Sequence, residues 1–495
     1  MAKQYRSWTP RQSFLLPPSP LEWLRESHLA YFVLDVVDEV DLSSIEISIQ
    51  SKDPRGERPY SPRMMIALLL YAYCTGVYSS RRIGSATYED IPFRVLAGGS
   101  HPHFTTINQF RLDHLEALKA LFLEVLKLCQ RAGLVRLGHV ALDGSKVQAN
   151  ASKHKAMTYE RMSEDEKRLS LEIEELLERA RRVDQEEDEP SAGAEQREED
   201  IPAELARRES RLARIREAKA ALEQDAAKAR AEKLRKQAEE QQSKANDPAV
   251  NPVEKKRART RAEKAEVQAD KLDPSQPQAD TLGEKAWPHH RVPANVDGTP
   301  KPNAQRNFTD ADSRIMLKDG AYLQAYNAQI IVDDHAQVIV AEGVSNQAPD
   351  QEHLVPMVRS AVENCGDAPK KMTADNGYLS VANIEFCDKS QIDAHIAVGR
   401  EQDRDAPPPS QTAETTPAQL ARNQMRNKLQ MPDGKAIYAR RKSTVEPVLG
   451  QIKGARRFRM FSLRSFRKVR GEWTLVCLTH NLLKLYRSKL ATLAA

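Results

Sequence analysis

From about Tyr159 to Asp280 the chain is built mostly from Glu, Lys, Arg, Ala and Gln, a composition too polar to bury a core of its own. Any compact domain must therefore be assembled from the apolar sequence on either side of it. Within the segment Leu205, Leu212, Ile215 and Leu222 recur at spacings of seven, three and seven, while "DQEEDEPSAGAEQREED" and "NDPAVNPVEKK" interrupt the pattern. This predicts long solvated helices, folded back as an antiparallel hairpin or coiled coil. A charged spacer without chemistry and a surface for self-association both remain open as its role.

Before the insertion, the pattern from Pro62 to Gly133 is helical: "PRMMIALLLYAY", a turn at "TGVYSS", "RRIGSATYED", and then one long apolar-periodic run from Thr105. Ser80 and Thr105 are expected N-caps and Gly133 a stop. Arg81 and Arg82 at a helix start suit a helix-turn-helix-like DNA reader, although a purely packing role gives the same spacing. After the insertion, "AYLQAYNAQIIV" and "AQVIVAEGVS" flank "DDH" as an antiparallel hairpin. Helix to Gly366, strand to Asp375, helix over "SVANIEFCDK" and strand over "IDAHIAVG" follow. The pattern implies an α/β fold with a mixed sheet flanked by helices, whose ligands sit beyond the carboxyl ends of its parallel strands. Asp143, closing "GHVALD", and Asp375 are expected at such ends. Residues 400–435 read as a Pro- and polar-rich loop, and "GEWTLVCLTHNLLKLYRSKLATL" as an amphipathic helix with one face on the sheet.

The 495 residues suffice for two or three domains, and a mean hydropathy of -0.63 agrees with a large solvated part. Five scattered cysteines form neither a disulfide framework nor a zinc pattern, which points to a reducing cytosol. The longest apolar run, "MMIALLLYAY", is about half of the roughly 20 residues that span a bilayer, so a membrane or exported protein is not expected. The absence of a P-loop, a dinucleotide fingerprint and a nucleophile elbow argues against ATP-driven and acyl-transfer chemistry.

The net charge of +5 is mild, yet from Arg440 to Arg470 there are eleven Lys or Arg and one acid, Glu446, with Phe458, Phe461 and Phe466 interleaved. That suits a surface clamping a phosphate backbone. Taken singly, Asp143 before Gly144 and Asp375 before "NG" read as turn residues, and Ser443 with Glu446 as a capping box. Taken together, three acids at one sheet edge offer the hard oxygen ligands that Mg²⁺ prefers, with Lys442, Glu446 and Lys453 on one helical face. His101, His103, His289 and His290 read as loop histidines. Asp310 and Asp312 are further candidate metal or DNA contacts, and Asp350 reads either so or as a helix N-cap.

The chain resembles the DDE transposases of bacterial insertion sequences, in the subfamily with a helical N-terminal domain and a long charged insertion between the first two catalytic acids. The resemblance lies in "YSSRRIGSATYEDIPFRVLAGG", "TTINQFR", "ALDGSKVQANASKHKAMTYERM", "RNFTDADSRIM", "TADNGY" and "YARRKSTVEPVLGQIKGARRFRMFSLRSFRKVRGEW". It implies a ribonuclease-H-like core with Asp143, Asp375 and Glu446 as catalytic acids and ligands of Mg²⁺, with Mn²⁺ as a substitute. A related signature sets Tyr, Arg and Lys at minus seven, minus four and plus seven from the Glu. Lys453 fits it, Tyr438 stands at minus eight, and Lys442 takes the arginine position beside Arg441. With Arg456, Arg457, Arg459, Arg81 and Arg82 these residues form the expected DNA contacts.

The implied layout is a helical DNA-binding domain over 1–135, the first part of the core over 136–158, the insertion over 159–285 and the remaining core over 286–495. The implied activity is cleavage at the element's ends and transfer of the 3′-hydroxyls into target DNA. Its partners are terminal inverted repeats, target DNA and a second copy in the synaptic complex, in a cytoplasmic, nucleoid-associated setting. The alternatives are a metal-dependent nuclease without strand transfer and an inactive DNA-binding descendant.

Overall fold

The structure, a computed structural model, describes residues 20–51, 58–187, 200–274, 287–399 and 417–494. The N-terminal region is a set of helices: α1 (Leu29–Glu39), α2 (Ser43–Gln50), α3 (Pro62–Thr75), α4 (Ser80–Glu89), α5 (Ile91–Ala97), α6 (Phe104–Asp113) and α7 (Leu115–Arg131). Pro62 sits in the first turn of α3, where its missing N–H leaves no helical bond unmade. Gly76 closes α3 at φ +79°, and an added Cβ there would meet the Arg456 carbonyl oxygen at 2.7 Å. The run expected as one helix from Thr105 is two, broken at His114, so that Leu115 at the head of α7 packs against Gly471. Thr105 is not the cap; His103 holds that position, and its Nδ1 lies 2.7 Å from the Thr105 hydroxyl.

β1 (Val140–Gln148) follows, then the short β2 (Ala156–Thr158) and the insertion, α8 (Tyr159–Glu187), α9 (Asp200–Asn246) and α10 (Pro252–Leu272). The hairpin expectation is realised twice, since the first half of α9 packs on α8 and the second half on α10. Of the predicted seam, Leu212, Ile215 and Leu222 are buried and Leu205 is half-buried. Most of "DQEEDEPSAGAEQREED" lies outside the described residues. β3 (Gln305–Asn307) pairs with β2 and closes the insertion at its base.

The sheet contains β4 (Arg314–Lys318), β5 (Ala321–Asp333), β6 (Ile339–Ser345), β7 (Lys371–Ala374) and β8 (Asp393–Ile396), with α11 (Leu354–Cys365) and α12 (Val381–Lys389) between the last three. Its order is β4-β5-β1-β7-β8, with β6 beside β5. The bonds are antiparallel from β4 and β6 through β5 to β1, and parallel from β1 through β7 to β8. The expected mixed sheet is therefore present. From residue 417 the segment expected as a loop is helical, α13 (Pro417–Gln430) and α14 (Pro432–Thr444), while 400–416 lie outside the described residues. Met425 gives α13 an anchor in the core, and Gly434 allows α14 to cross close to the Lys428 backbone.

α15 (Glu446–Gly450) runs into a π-helical turn (Gln451–Ala455), and α16 (Phe466–Ala494) ends the chain. The expectation of one apolar face on α16 is corrected, because every residue from Gly471 to Leu482 is buried. The helix is covered by β6 on one side and by α3 and α7 on the other, so one apolar core runs from the N-terminal helices into the sheet. Arg111 of α6 and Glu472 of α16 meet inside it at 4.0 Å, with side chains 3% and 0% exposed. Tyr73, Ser462 and the Leu463 N–H supply further hydrogen bonds to Glu472. Among the described residues no helix is long and apolar enough to cross a membrane.

Candidate active site

β1 pairs with β7 only at Val140 and Ala141, and β7 stops at Ala374. Beyond this point, where the two strands no longer pair, Asp143 rises from β1 and Asp375 follows β7, as ligand-binding residues do where parallel strands part. Asp143 is not at a strand end, as the Asp-Gly pair suggested; β1 continues to Gln148 along β5. Gly144 is required by close approach rather than by a turn, since the side chains of Gln329 and Asp350 fill the place a Cβ would take. Asp375 does form the local turn that its sequence suggests, accepting the Gly377 N–H at 2.9 Å.

Glu446 enters from the opposite end of the sequence. α14 ends at Thr444 and α15 starts at Glu446, with Pro447 in its first turn, where a proline costs no hydrogen bond. The capping box does not form, because the Ser443 hydroxyl donates to the Arg440 carbonyl and caps nothing. Arg441 links the acids: its guanidinium donates to Asp143 Oδ2 at 2.9 Å and lies 3.6 Å from Glu446 Oε1. Glu446 is 51% exposed, Asp143 only 13%. Burial pushes the Asp143 carboxyl up to about 6, opposed by Arg441 and reinforced by Asp375 and Asp350. Burial also raises Asp375, again against Arg441.

Three carboxylates without a softer donor suit a hard divalent cation. Among the described residues, however, no three acids, histidines or cysteines close around one point. Arg441, bridging Asp143 and Glu446, is the cation that the centre itself provides. The donor chemistry fits the ion, and the guanidinium marks where positive charge is needed.

The basic stretch divides into an inner and an outer set. Lys453 lies half-buried in the π-helical turn, with its ammonium pKa lowered by burial and then by Lys318. The helix is thus not a continuous α-helix carrying Lys442, Glu446 and Lys453 on one face. Lys442, Arg457 and Arg459 are exposed, as are Arg81, which stacks 4.9 Å over the Phe104 ring, and Arg82. Arg456 does not fit the expected phosphate contact. It is buried and donates to the Thr479 hydroxyl and the Val476 carbonyl. Tyr438, Phe458 and Phe461 are likewise buried, so these aromatics fasten the segment to the core rather than face a ligand.

Asp350 stands at the N-cap position of a short 3-10 turn but makes no capping bond. Its carboxylate accepts from Lys146 at 3.0 Å, Asn327 at 2.6 Å and Gln329 at 2.9 Å, while Gln329 also accepts from the Tyr378 hydroxyl. This network ties the turn after Asp375 to β5 beneath Asp143. The sequence held a signal for it, since Asn327 and Gln329 are amide side chains within a buried strand and such groups need partners. Asp310 and Asp312 are anchors, accepting the backbone N–H groups of Ser465 and Phe466. His289 pairs with Glu232, and His101 lies 3.2 Å from the Thr87 hydroxyl.

A family model described as "Transposase DDE domain" matches residues 294–482, and one described as "Transposase domain (DUF772)" matches 19–113. The first match includes Asp375 and Glu446 and begins beyond Asp143. No curated protein and no solved structure matches the chain.

Proposed function

We propose that this chain, which belongs to the DDE transposases of insertion sequences, cleaves DNA at the ends of its element and joins the freed 3′-hydroxyls to target DNA, with Asp143, Asp375 and Glu446 as its catalytic acids. The observation that carries the reading is Arg441, a single guanidinium that reaches both Asp143 and Glu446 and whose charge also acts on the Asp375 carboxyl. The strand order, antiparallel strands followed by parallel ones reached through helices, supports a ribonuclease-H-like core.

Asp143, Asp375 and Glu446 would hold a divalent ion, Mg²⁺ or Mn²⁺, which when bound would supply Lewis-acid stabilisation of the oxygens that gain charge in phosphodiester cleavage and transfer. The chain's own residues do the rest. Asp143 must be ionised to act, and Arg441 opposes the burial that keeps its proton on. Arg441 and Lys453 then offer positive charge to the scissile phosphate, while Lys442, Arg457 and Arg459 grip the backbone on either side. Arg81 and Arg82 take the terminal repeat, and two copies of the chain bring the two ends together.

Asp375→Ala is expected to abolish cleavage and strand transfer while leaving terminal-repeat binding nearly unchanged. A variant that still cuts sinks the assignment. With pre-cleaved ends, products longer than the input report strand transfer; shortened products alone leave only a nuclease.

A further inference from the structure

We propose that the outer part of the α9–α10 hairpin is a phosphate-binding arm for duplex DNA, separate from the catalytic centre. The proposal takes from the reading above only that the protein acts on DNA. Lys255, Lys256, Arg257, Arg259, Arg261 and Lys264 place six cations in ten residues of α10, with Glu263 the one acid among them. All are exposed except the half-buried Lys255. Ala258, Ala262 and Ala269 take the seam against α9, so the long side chains are left on the outer surface. Leu272 packs on Gly298 at the base of the hairpin, which sets the cluster about 12–26 Å out along the helix.

These cations differ from a set of paired ones elsewhere in the insertion in what answers their charge. There, Arg216 and Lys219 pair with Glu166 at 3.0 and 2.9 Å, Arg306 with Asp225 at 2.8 Å and Arg235 with Asp270 at 3.3 Å. Among the described residues none of the six makes an ion pair. Their placement also opposes the helix that carries them. Positive charge in the first turns is repelled by the helix dipole, and Lys255 with Arg259 and Arg257 with Arg261 are like charges at i,i+4. The Asn251 side chain, accepting the Val253 N–H at 2.7 Å, and Pro252 in the first turn stabilise that end without touching the charge. Glu254 in the first turn and Glu263, four residues beyond Arg259, offset only part of this excess, and a helix that carries so much positive charge outward marks a surface used for something outside the chain. The chemistry that answers six outward cations on one short rod is a row of phosphates, held without reading bases.

The test compares the full-length protein with a K255Q/R257Q/R259Q/R261Q variant, binding a duplex that lacks the terminal repeat, by fluorescence anisotropy across a salt series. Gln keeps helix propensity close to that of Lys and Arg, and circular dichroism checks that helix content is unchanged. The variant is expected to bind about tenfold or more weakly at low salt, with a salt slope shallower by about 0.9 for each phosphate no longer neutralised. A second variant, R257K/R259K/R261K, keeps the charge and is expected to bind like the wild type. Equal affinity and slope for the wild type and the Gln variant overturn the arm and leave the transposase reading standing. Equal weakening in the Lys and Gln variants also overturns it, because the effect is then not one of charge. A wild type that binds no duplex at all removes the arm together with the DNA-acting reading.

Discussion

In the body of the molecule Arg111 and Glu472 lie in the apolar core, each surrounded by fixed partners. In the insertion Arg216, Lys219 and Glu166 meet at the water boundary, their side chains 56%, 23% and 23% exposed, over a narrow seam of Met162, Leu169, Leu212 and Ile215. The two regions differ less in how much charge they carry than in where they keep it. A charge taken out of water has to be answered inside, so the ions of the body fix Ser462, Leu463 and the N-terminal helices in place. A charge left in water is nearly neutral to the fold and stays available to something else. The same distinction separates buried Arg456 from exposed Arg457, its neighbour in sequence.

The largest effect that tests this contrast is Glu472→Ala. It leaves Arg111 buried without its counter-charge and removes the acceptor of the Ser462 and Leu463 N–H groups, a loss of about 3–5 kcal/mol. Urea unfolding followed by tryptophan fluorescence reads the body selectively, because Trp473 is buried there and the insertion helices contain no tryptophan. The double change Arg111→Met, Glu472→Leu is expected to lose less than the single one, since no uncompensated charge remains. A single-variant loss below about 1 kcal/mol breaks the contrast at its stronger end.

Asp143 tests the same rule at a buried acid of the proposed catalytic set. Its carboxyl holds its proton up to about 6 against an ordinary 3.8, so between these values the folded protein binds more protons than the unfolded chain. In metal-free protein, stability therefore falls as pH rises from about 4 to about 6, by an amount on the order of 3 kcal/mol. Asp375 shifts in the same direction and adds to the slope. Asp143→Asn flattens the dependence and leaves an inactive protein that is the more stable one at pH 8, which urea midpoints over a pH series will show. Because binding a divalent ion needs the ionised carboxylate, calorimetric affinity for Mn²⁺ should weaken about tenfold per unit below pH 6. An affinity flat across that range removes Asp143 from the metal site.

What the sequence made legible follows the same division. Elements with their own periodicity, such as the β5–β6 hairpin and α11 with Gly366 at φ +80°, were open to reading because spacing and glycine conformation are local. So was the burial of Leu212, Ile215 and Leu222 in the insertion. Features decided by a distant partner were not. Asp143-Gly144 looks like a turn until Gln329 is laid over it, and Ser443 with Glu446 looks like a capping box until Val445 separates two helices. The stretch from Arg456 to Phe461 has no regular period, so nothing local tells that Arg456, Phe458 and Phe461 point inward while Arg457 and Arg459 point outward. Asp350 was visible as an acid, but its pairing with Lys146 needs the β1–β5 register.

The smallest effect belongs to the insertion and tests the weaker end of the contrast. Hydrogen bonds from Lys219 first, and from Arg216, hold the Glu166 carboxyl below its ordinary value, so this contribution is present above about pH 4.5 and is lost as pH falls. With Arg216 largely in water and Lys219 and Glu166 still in reach of it, Glu166→Gln should cost only about 0.5–1 kcal/mol, and less still in about 1 M salt, where the Debye length is about 3 Å. Leu212→Ala, in the apolar seam between the same two helices, should cost about 2 kcal/mol regardless of salt, because what it loses is packing against Met162, Leu169 and Ile215. Thermal unfolding of the full chain, followed by circular dichroism at low and high salt, ranks the two. If Glu166→Gln proves the more damaging, the insertion is held by its charges. Its paired cations would then be committed to the fold as Arg111 is, and only those on the outer surface of α10 would remain free to act outward.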